Sequence, residues 1–204
     1  MVRVSVGVDA LRFSPLGREH RERLRAELGI PSAHRVVLHV GHLRRNRNLE
    51  PLKALQDLDR VEVLLAASSE SPEADLSDEL LRSGVRVLQG QVPPIELIYG
   101  LSDLYVFTCA TPSIPERSSA IDLPLSVFEA MACDLPIVTT RFGGLPDLFA
   151  EAPGFRYLSD PFDAAEWRKT VSEALQEDPG NNRRKVLPYT WRKLMTAALG
   201  ARNG

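Results

Sequence analysis

A chain of 204 residues, 44% hydrophobic and 25% charged, has the make-up of an ordinary globular protein with one large or two small domains. Its net charge of −2 gives no reason to expect nucleic-acid binding, and its longest apolar stretches are of strand length, so the sequence predicts no transmembrane segment and leaves only peripheral membrane contact open. The opening MVRVSVGVDALRF alternates polar and apolar side chains and lacks the continuous apolar core of a signal peptide, so we expect none.

The predicted elements alternate between strand and helix. In chain order the sequence predicts a strand at 35–43, a helix at 49–58, a strand at 61–68, a helix at 75–84, a strand at 85–92, a helix at 94–102, a strand at 104–110, a helix at 124–134, strands at 136–140 and 155–160, and closing helices at 164–176 and 190–200. The strands are continuous apolar runs, which is typical of a sheet buried on both faces. We therefore predict an α/β, Rossmann-like, doubly wound parallel sheet of about six strands with helices on both faces, in a single domain spanning 1–204.

In such a fold ligands bind beyond the carboxyl ends of the strands. The segments that follow the predicted strands are therefore the candidates for chemistry. The loop at 111–123, TPSIPERSSAIDL, is unusually long. Long loops in compact domains are often functional, although a surface insertion explains this one equally well.

The stretch GHLRRNRN at 41–48 follows a strand and precedes a helix. Gly41 lets the backbone turn and approach a ligand closely. Arg44, Arg45 and Arg47 add positive charge beside a helix N-terminus, which is a suitable environment for a phosphate. A solvated basic turn is the alternative. The stretch does not contain the glycine-rich dinucleotide fingerprint.

A single carboxylate, Glu129, lies among apolar side chains in the helix at 124–134. Ser126 and Glu129 have the spacing of a capping box, in which the glutamate binds the backbone at the helix start. Alternatively, Glu129 accepts hydrogen bonds from two vicinal ligand hydroxyls, while the N–H groups of Leu125 and Ser126 meet a phosphate. The spacing alone favours the capping box.

A third candidate is RFGGLPD at 141–147, where Gly143 and Gly144 permit a close approach of backbone to ligand or form a plain turn. No metal site is predicted, because the histidines and cysteines lack metal-site spacing. The residues concerned are His20, His34, His39, Cys109 and Cys133. Both cysteines lie in apolar segments, so we expect no disulfide and a reducing, cytoplasmic location.

Several of these stretches together resemble the C-terminal, donor-binding half of GT-B glycosyltransferases of family 4, the glycosyl transferases group 1. The resemblance runs through GVDALRFSP, VVLHVGHLRRNRNL, VRVLQGQVPPIELIYGLSDLYVFTC, PLSVFEAMACDLPIVTTRFGGLPDLF and YTWRKL, in family order and over nearly the whole chain. FEAMACDLPIVTT followed by GGLPD is its most specific part.

The resemblance implies a nucleotide-activated sugar as the donor substrate, with no cofactor and no metal. Its diphosphate would meet Gly41, His42, Arg47 and the helix start at Leu125 and Ser126; His42 and Arg47 stand where the family usually has arginine and lysine. Glu129 matches the ribose-binding glutamate, and the backbone near Gln91 and Val92 would meet the base. The sugar would lie against Ile121, Asp122, Leu123 and Pro124. Two departures fall here: Ile121 replaces the first glutamate of the family's E-x7-E element, and Leu123-Pro124-Leu125 replaces its glycine-rich loop.

The implied activity is retaining, metal-independent transfer of a hexose from a nucleoside diphosphate sugar to an acceptor. Arg47 would be the catalytic group, stabilising the departing diphosphate, and no protein nucleophile is expected. The family's N-terminal acceptor domain has no room in this chain, so we expect a missing domain or a partner subunit and a chain incomplete for catalysis alone. The alternative is a non-catalytic GT-B-like interaction domain or partner subunit that has lost donor binding, which Ile121 and His42 favour.

Overall fold

The computed structural model describes residues 7–67, 73–89, 93–110 and 123–200. The strands are β1 (Arg35–Gly41), β2 (Val61–Ala67), β3 (Arg86–Leu88), β4 (Leu104–Phe107), β5 (Ile137–Thr139) and β6 (Phe155–Tyr157). The helices are α1 (Arg18–Glu27), α2 (Glu50–Ala54), α3 (Ala74–Arg82), α4 (Ile95–Leu101), α5 (Leu125–Ala132), α6 (Leu145–Leu148), α7 (Ala164–Ala174), α8 (Asn182–Val186) and α9 (Trp191–Gly200), with 3-10 turns at Arg45–Arg47, Leu55–Asp57 and Leu187–Tyr189.

The six strands form one sheet in the order β3-β2-β1-β4-β5-β6, and every neighbouring pair is parallel. The order runs outward in both directions from β1 and β4. The chain therefore changes direction across the sheet between these two strands, which in doubly wound folds opens a crevice at their carboxyl ends. The predicted fold class is confirmed.

Two apolar clusters lie on opposite faces of the sheet. Along β1, Val36 and Leu38 belong to the cluster covered by α1, α4, α5 and α8, whereas Val37 belongs to the one covered by α2, α3 and α7. All three side chains are fully buried. Alternate residues of a strand point to opposite faces, so a strand between two helical layers must be apolar throughout.

The sequence did not predict α1. Among its ten residues only Leu24 is buried, so it carries no apolar stripe to reveal it. Ion pairs attach it instead, since Arg21 and Arg25 lie 2.5 and 2.6 Å from the two carboxylate oxygens of Asp103. Burial and these contacts act in opposite directions on the pKa of Asp103, which is lowered overall.

Other differences are in element bounds. The predicted helix at 49–58 divides into α2 and the 3-10 turn Leu55–Asp57, and the predicted strand at 85–92 is described only as far as Leu88 in β3. Helices α6 and α8 were not predicted. Within the described part of the chain, no helix combines the length and apolar character needed to cross a bilayer.

Candidate functional site

The loops that follow β1, β4 and β6 are joined at the carboxyl edge of the sheet. Asn48 adopts a left-handed conformation, with φ of 51°. Its side-chain amide donates hydrogen bonds to the backbone oxygens of Thr108, at 3.0 Å, and Pro161, at 2.8 Å. The Thr108 hydroxyl in turn donates to the backbone oxygen of Arg47, at 3.0 Å. These bonds fix the backbone of Arg47 beside the end of β4.

The side chain of Arg47 extends over that edge. It is half-buried, and its Nη1 lies 4.0 Å from Cys109 Sγ. Burial raises the pKa of the Cys109 thiol, an effect that the Arg47 charge opposes. The same charge acts on His39 beneath the loop, where burial lowers the imidazole pKa to about 4 and Arg47 adds to the lowering. The guanidinium therefore brings a positive charge to the end of β4.

The other two arginines of the loop do not share this position. Arg45 Nη2 lies 2.6 Å from Glu79 Oε1 on α3, and its Nε lies 3.8 Å from Glu73. Hydrogen bonds from Arg45 and Lys53 lower the pKa of Glu79 to about 2. Arg44 is exposed. Of the three arginines expected to form a phosphate environment, Arg45 is thus paired with carboxylates of α3 and of the residue before it.

Helix α5 begins at Leu125, and no side chain caps its N-terminus. Ser126 is therefore inside the first turn, and Glu129 does not bond back to it. The capping box that the spacing favoured is wrong. Glu129 Oε2 instead accepts a hydrogen bond of 2.9 Å from the hydroxyl of Tyr99 on α4. Glu129 remains half-buried.

Tyr105 connects the two ends of the candidate site. Its hydroxyl lies 3.4 Å from the backbone oxygen of Val40, next to Gly41, and interacts with the side chain of Ser126 on α5. The start of the 41–48 loop and the start of α5 are thus on the same rim of the sheet. Because the first N–H groups of a helix lack intrahelical partners, this rim combines backbone donors with the Arg47 charge.

The surroundings of Glu129 have opposing effects on the pKa of its carboxyl. Burial raises the pKa of its carboxyl, while the hydrogen bond from Tyr99 and the charge of Arg12 act in the opposite direction. Arg12 is itself 2.9 Å from Glu96 on α4, a carboxylate whose charge also raises the pKa of Glu129. The net shift is upward. A carboxylate in this position becomes protonated more readily than one in water.

The glycine turn after β5 lies against the residue that precedes α5. Gly143 has a φ of 50°, a left-handed conformation that favours glycine. A Cβ on Gly144 would lie 3.2 Å from Leu123 Cδ2, so this leucine packs directly on the turn. Pro124, which follows Leu123, is buried. The turn and the start of α5 are therefore in contact.

The structure does not address every predicted position. Gln91, Val92, Ile121 and Asp122 lie outside the described residues, as does most of the 111–123 loop. His42 is exposed. Gly41, Arg47 and Ser126 lie at the carboxyl edge, and Glu129 follows one turn along α5. Sequence reasoning missed the residues that support them, namely Asn48, Tyr99, Tyr105 and Thr108. Of these only Asn48 carried a local signal, since asparagine is favoured in left-handed turns.

Gly41 has a packing reason to be glycine. A Cβ there would lie 2.9 Å from Nε2 of His39, a buried side chain held by its Nδ1–H, which donates to Val106 O at 3.0 Å. We expect Gly41→Ala to lower the free energy of unfolding by about 1–2 kcal/mol, because the imidazole must shift within a packed core. Denaturant unfolding measures this loss.

The control for that loss is Gly17→Ala, since nothing lies within 4 Å of a Cβ at Gly17. It should cost no more than about 0.5–1 kcal/mol, the loss expected because Gly17 is the N-cap of α1 and alanine is less favoured there than glycine. A double-mutant cycle with His39→Ala identifies the clash, because the alanine at 41 should cost nothing once the ring is gone. An unchanged cost in that background would contradict the packing explanation.

No group of three or more His, Cys, Asp or Glu side chains arranged to hold a metal ion occurs among the described residues. The two cysteines are buried and not joined in a disulfide.

The chain resembles known proteins in sequence and in fold. A family model described as glycosyl transferases group 1 matches residues 34–177. The D-inositol 3-phosphate glycosyltransferase of Corynebacterium jeikeium is 30% identical over 192 residues, covering 86% of this chain and 43% of that protein. HepE of Anabaena, solved in complex with UDP-glucose, superposes with a TM-score of 0.76 at 20% identity, over 97% of this chain and 56% of that one.

A second solved structure matches this chain in extent. It is the C-terminal domain of a glycosyl transferase group 1 family protein from Francisella tularensis, with a TM-score of 0.61 at 15% identity, covering 94% of this chain and 98% of that chain. Both structural similarities establish the fold. The chain spans less than half the length of the curated relatives it matches. The family match over most of the sequence shows that the chain belongs to the glycosyl transferases group 1.

Proposed function

We propose that this chain is the donor-binding half of a retaining, metal-independent glycosyltransferase that transfers a hexose from a nucleoside diphosphate sugar to an acceptor. One observation carries the proposal. Arg47 lies at the end of β4, Tyr105 joins the end of β1 to the start of α5, and Glu129 follows one turn along α5. A nucleoside diphosphate needs these three kinds of group, namely a cation, backbone N–H donors and a hydroxyl acceptor.

The diphosphate would occupy the space between the 41–48 loop and α5. Gly41, His42 and Arg47 would contact it from one side, and the N–H groups of Leu125 and Ser126 from the other. When the sugar departs, negative charge grows on the diphosphate. A fixed guanidinium and a helix N-terminus stabilise that charge without reorganisation, so Arg47 acts as the catalytic group in place of a metal ion.

With the diphosphate in this position, the ribose, the base and the sugar of the donor would each have a place. The ribose hydroxyls would donate to Glu129, and the base would lie near Gln91 and Val92. The sugar would lie toward Leu123 and Pro124, with Ile121 and Asp122 nearby in sequence. The complex of HepE with UDP-glucose supports a nucleotide sugar as the ligand of this fold.

The acceptor would bind mainly to a second domain or a partner subunit. The short span of the chain relative to its relatives supports this division. It is also supported by the match to an isolated C-terminal domain over 98% of that domain's length.

Titration calorimetry with UDP, GDP and ADP tests the proposal. We expect at least one nucleotide to bind, and Arg47→Ala to weaken it about 10- to 100-fold, the equivalent of about 1.4–2.8 kcal/mol for a charged hydrogen-bonding group. Glu129→Ala should weaken it about 10-fold through the lost ribose contact.

The matched control is Arg45→Ala, in the same 3-10 turn. It removes the same charge and the same side-chain length, but from a guanidinium that binds Glu79. Its affinity should stay within about twofold of wild type, since exposed ion pairs contribute little. Absence of heat with every nucleotide would contradict donor binding and favour a non-catalytic interaction domain. Equal losses in the two arginine variants would show a general charge effect and not a site.

A further inference from the structure

The hydroxyl of Tyr99 is held rigidly against Glu129. Tyr99 is fully buried on α4, yet its hydroxyl lies 2.9 Å from Glu129 Oε2. The ring packs edge-on against Phe13, with centroids 5.6 Å apart, and lies 5.8 Å from the ring of Tyr105. A ring fixed on two sides cannot turn its hydroxyl away. The tyrosine therefore defines where the carboxylate can be.

The hydrogen bond leaves one carboxylate oxygen for a ligand. No other described residue donates a hydrogen bond to Glu129. Oε2 is engaged by Tyr99, so Oε1 is the atom with its acceptor sites open. Because a carboxylate oxygen has two lone-pair positions, Oε1 can accept from both hydroxyls of a ribose.

The pKa of the Glu129 carboxyl is set by burial and by the groups around it. Burial disfavours the ionised form, and the hydrogen bond from Tyr99 favours it. The titratable and charged groups that face this carboxylate are Tyr99 and Glu96 on α4, Arg12 on the segment before α1, Tyr105 on β4 and Cys133 after α5. Arg12 supports the charge from a distance, whereas its partner Glu96 opposes it. Tyr99 is the group that supports the charge by direct contact.

We propose that Tyr99 is a positioning residue of the nucleotide site, whose hydroxyl aims the second carboxylate oxygen of Glu129 at the ribose hydroxyls of a bound nucleotide. The inference rests on the proposed function, since it assigns a role within the ribose contact. Tyr99 does not touch the ligand. It acts through Glu129, by fixing the direction of the carboxylate and by keeping it charged.

The test compares wild type with Tyr99→Phe, which keeps the packed ring and removes only the hydroxyl. Binding of UDP, GDP and ADP, and of their 2′,3′-dideoxy counterparts, is measured by titration calorimetry. We expect the variant to bind the ribonucleotides about 10-fold more weakly, the usual effect of one hydrogen bond to a charged group. Binding of the dideoxy compounds, which have no hydroxyls for Glu129, should not change.

The pH dependence supplies a second readout. Ribose binding needs ionised Glu129, so affinity is lost as the pH falls through the pKa of that carboxyl. The Tyr99 hydrogen bond lowers this pKa, so its removal raises it. In Tyr99→Phe the loss of ribonucleotide affinity should therefore occur at a higher pH than in wild type.

Tyr157→Phe is the matched control. It also removes one buried tyrosine hydroxyl, which donates to Phe149 O at 2.8 Å and belongs to β6, the edge strand of the sheet. Both nucleotide series should bind this variant as they bind wild type.

Two outcomes would overturn the inference: unchanged ribonucleotide binding in Tyr99→Phe, or equal weakening of the ribo and dideoxy compounds, which marks a merely structural role. Failure of wild type to bind any nucleotide would instead refute the proposed function. In that case a carbon-13 titration of the Glu129 carboxyl in ligand-free protein decides the point. The same pKa in wild type and Tyr99→Phe would overturn the inference.

Discussion

Replacing Arg183 by alanine is expected to lower the free energy of unfolding by about 4 kcal/mol, because three hydrogen bonds from one charged group are lost together. The guanidinium of this α8 residue donates to the backbone oxygens of Ala10, Phe13 and Ala132. All three acceptor residues are buried. Once the arginine is removed, their carbonyl groups remain in the interior without that partner, and the cost of leaving them unsatisfied adds to the loss.

The position of the charge adds to the effect. Ala132 is the last residue of α5, where the carbonyl groups have no intrahelical partners and the helix dipole is negative. The backbone of Arg183 is tied to the same place, since its N–H donates to Asp134 Oδ1 at 2.8 Å. One residue of α8 thus joins the end of α5 to the segment before α1.

Denaturant unfolding of Arg183→Ala and Arg184→Ala measures this difference. Arg184 is the neighbouring residue of the same helix and is exposed. Its replacement should change stability by less than about 0.5 kcal/mol. Equal losses in the two variants would show that α8 simply needs an arginine-rich sequence, and would contradict the role given to the three carbonyl groups.

The same contacts matter for the candidate site. Phe13, whose backbone oxygen Arg183 binds, packs its ring against Tyr99, and Tyr99 holds Glu129. A chain of direct contacts therefore leads from α8 to the proposed ribose contact. We infer that the stability of the segment before α1 and the geometry of Glu129 are linked.

The parallel sheet was predictable because its strands are buried on both faces. A strand such as β2, VEVLLAA, needs an apolar residue at nearly every position, and such a run is visible without any knowledge of the fold. Helix α1 has no comparable signal. Its attachment depends on Asp103, which is remote in sequence from Arg21 and Arg25. An ion pair between distant residues leaves no periodic pattern in either segment.

In the candidate site, too, some residues had a local sequence signal and others did not. Arg47 and Glu129 were found from local motifs, a basic loop after a strand and a lone carboxylate in an apolar helix. The residues that orient them come from other elements, as when Asn48 and Thr108 fix the backbone of Arg47. The capping box failed because Ser126 lies two positions past Pro124, the N-cap residue of α5. A spacing rule identifies a pair of residues but not the position at which the helix begins.

The second large effect is expected on the free energy of unfolding when the pH is lowered. His39 is 1% exposed on β1, and burial lowers its pKa to about 4 from the ordinary 6.5. The unfolded chain therefore binds a proton on this residue at a higher pH than the folded chain does. Stability rises with pH wherever the unfolded state holds more protons. The contribution of His39 is fully present above pH 6.5 and is lost progressively as the pH falls from 6.5 toward 4. The total loss amounts to about 3 kcal/mol.

The variant His39→Asn isolates this loss. The side-chain amide of asparagine can still donate to Val106 O, as the imidazole does at 3.0 Å, but it does not titrate. The smaller side chain lowers stability at every pH, so the diagnostic quantity is the slope of the unfolding free energy against pH and not its value. We expect wild type to lose about 3 kcal/mol more than the variant between neutral pH and pH 4, because all other titrating groups are shared by the two proteins. Parallel curves would show that His39 is protonated at the same pH in the folded and unfolded chains. Water or a carboxylate would then have to reach its Nε2, and the close contact of the ring with Gly41 would not hold in solution.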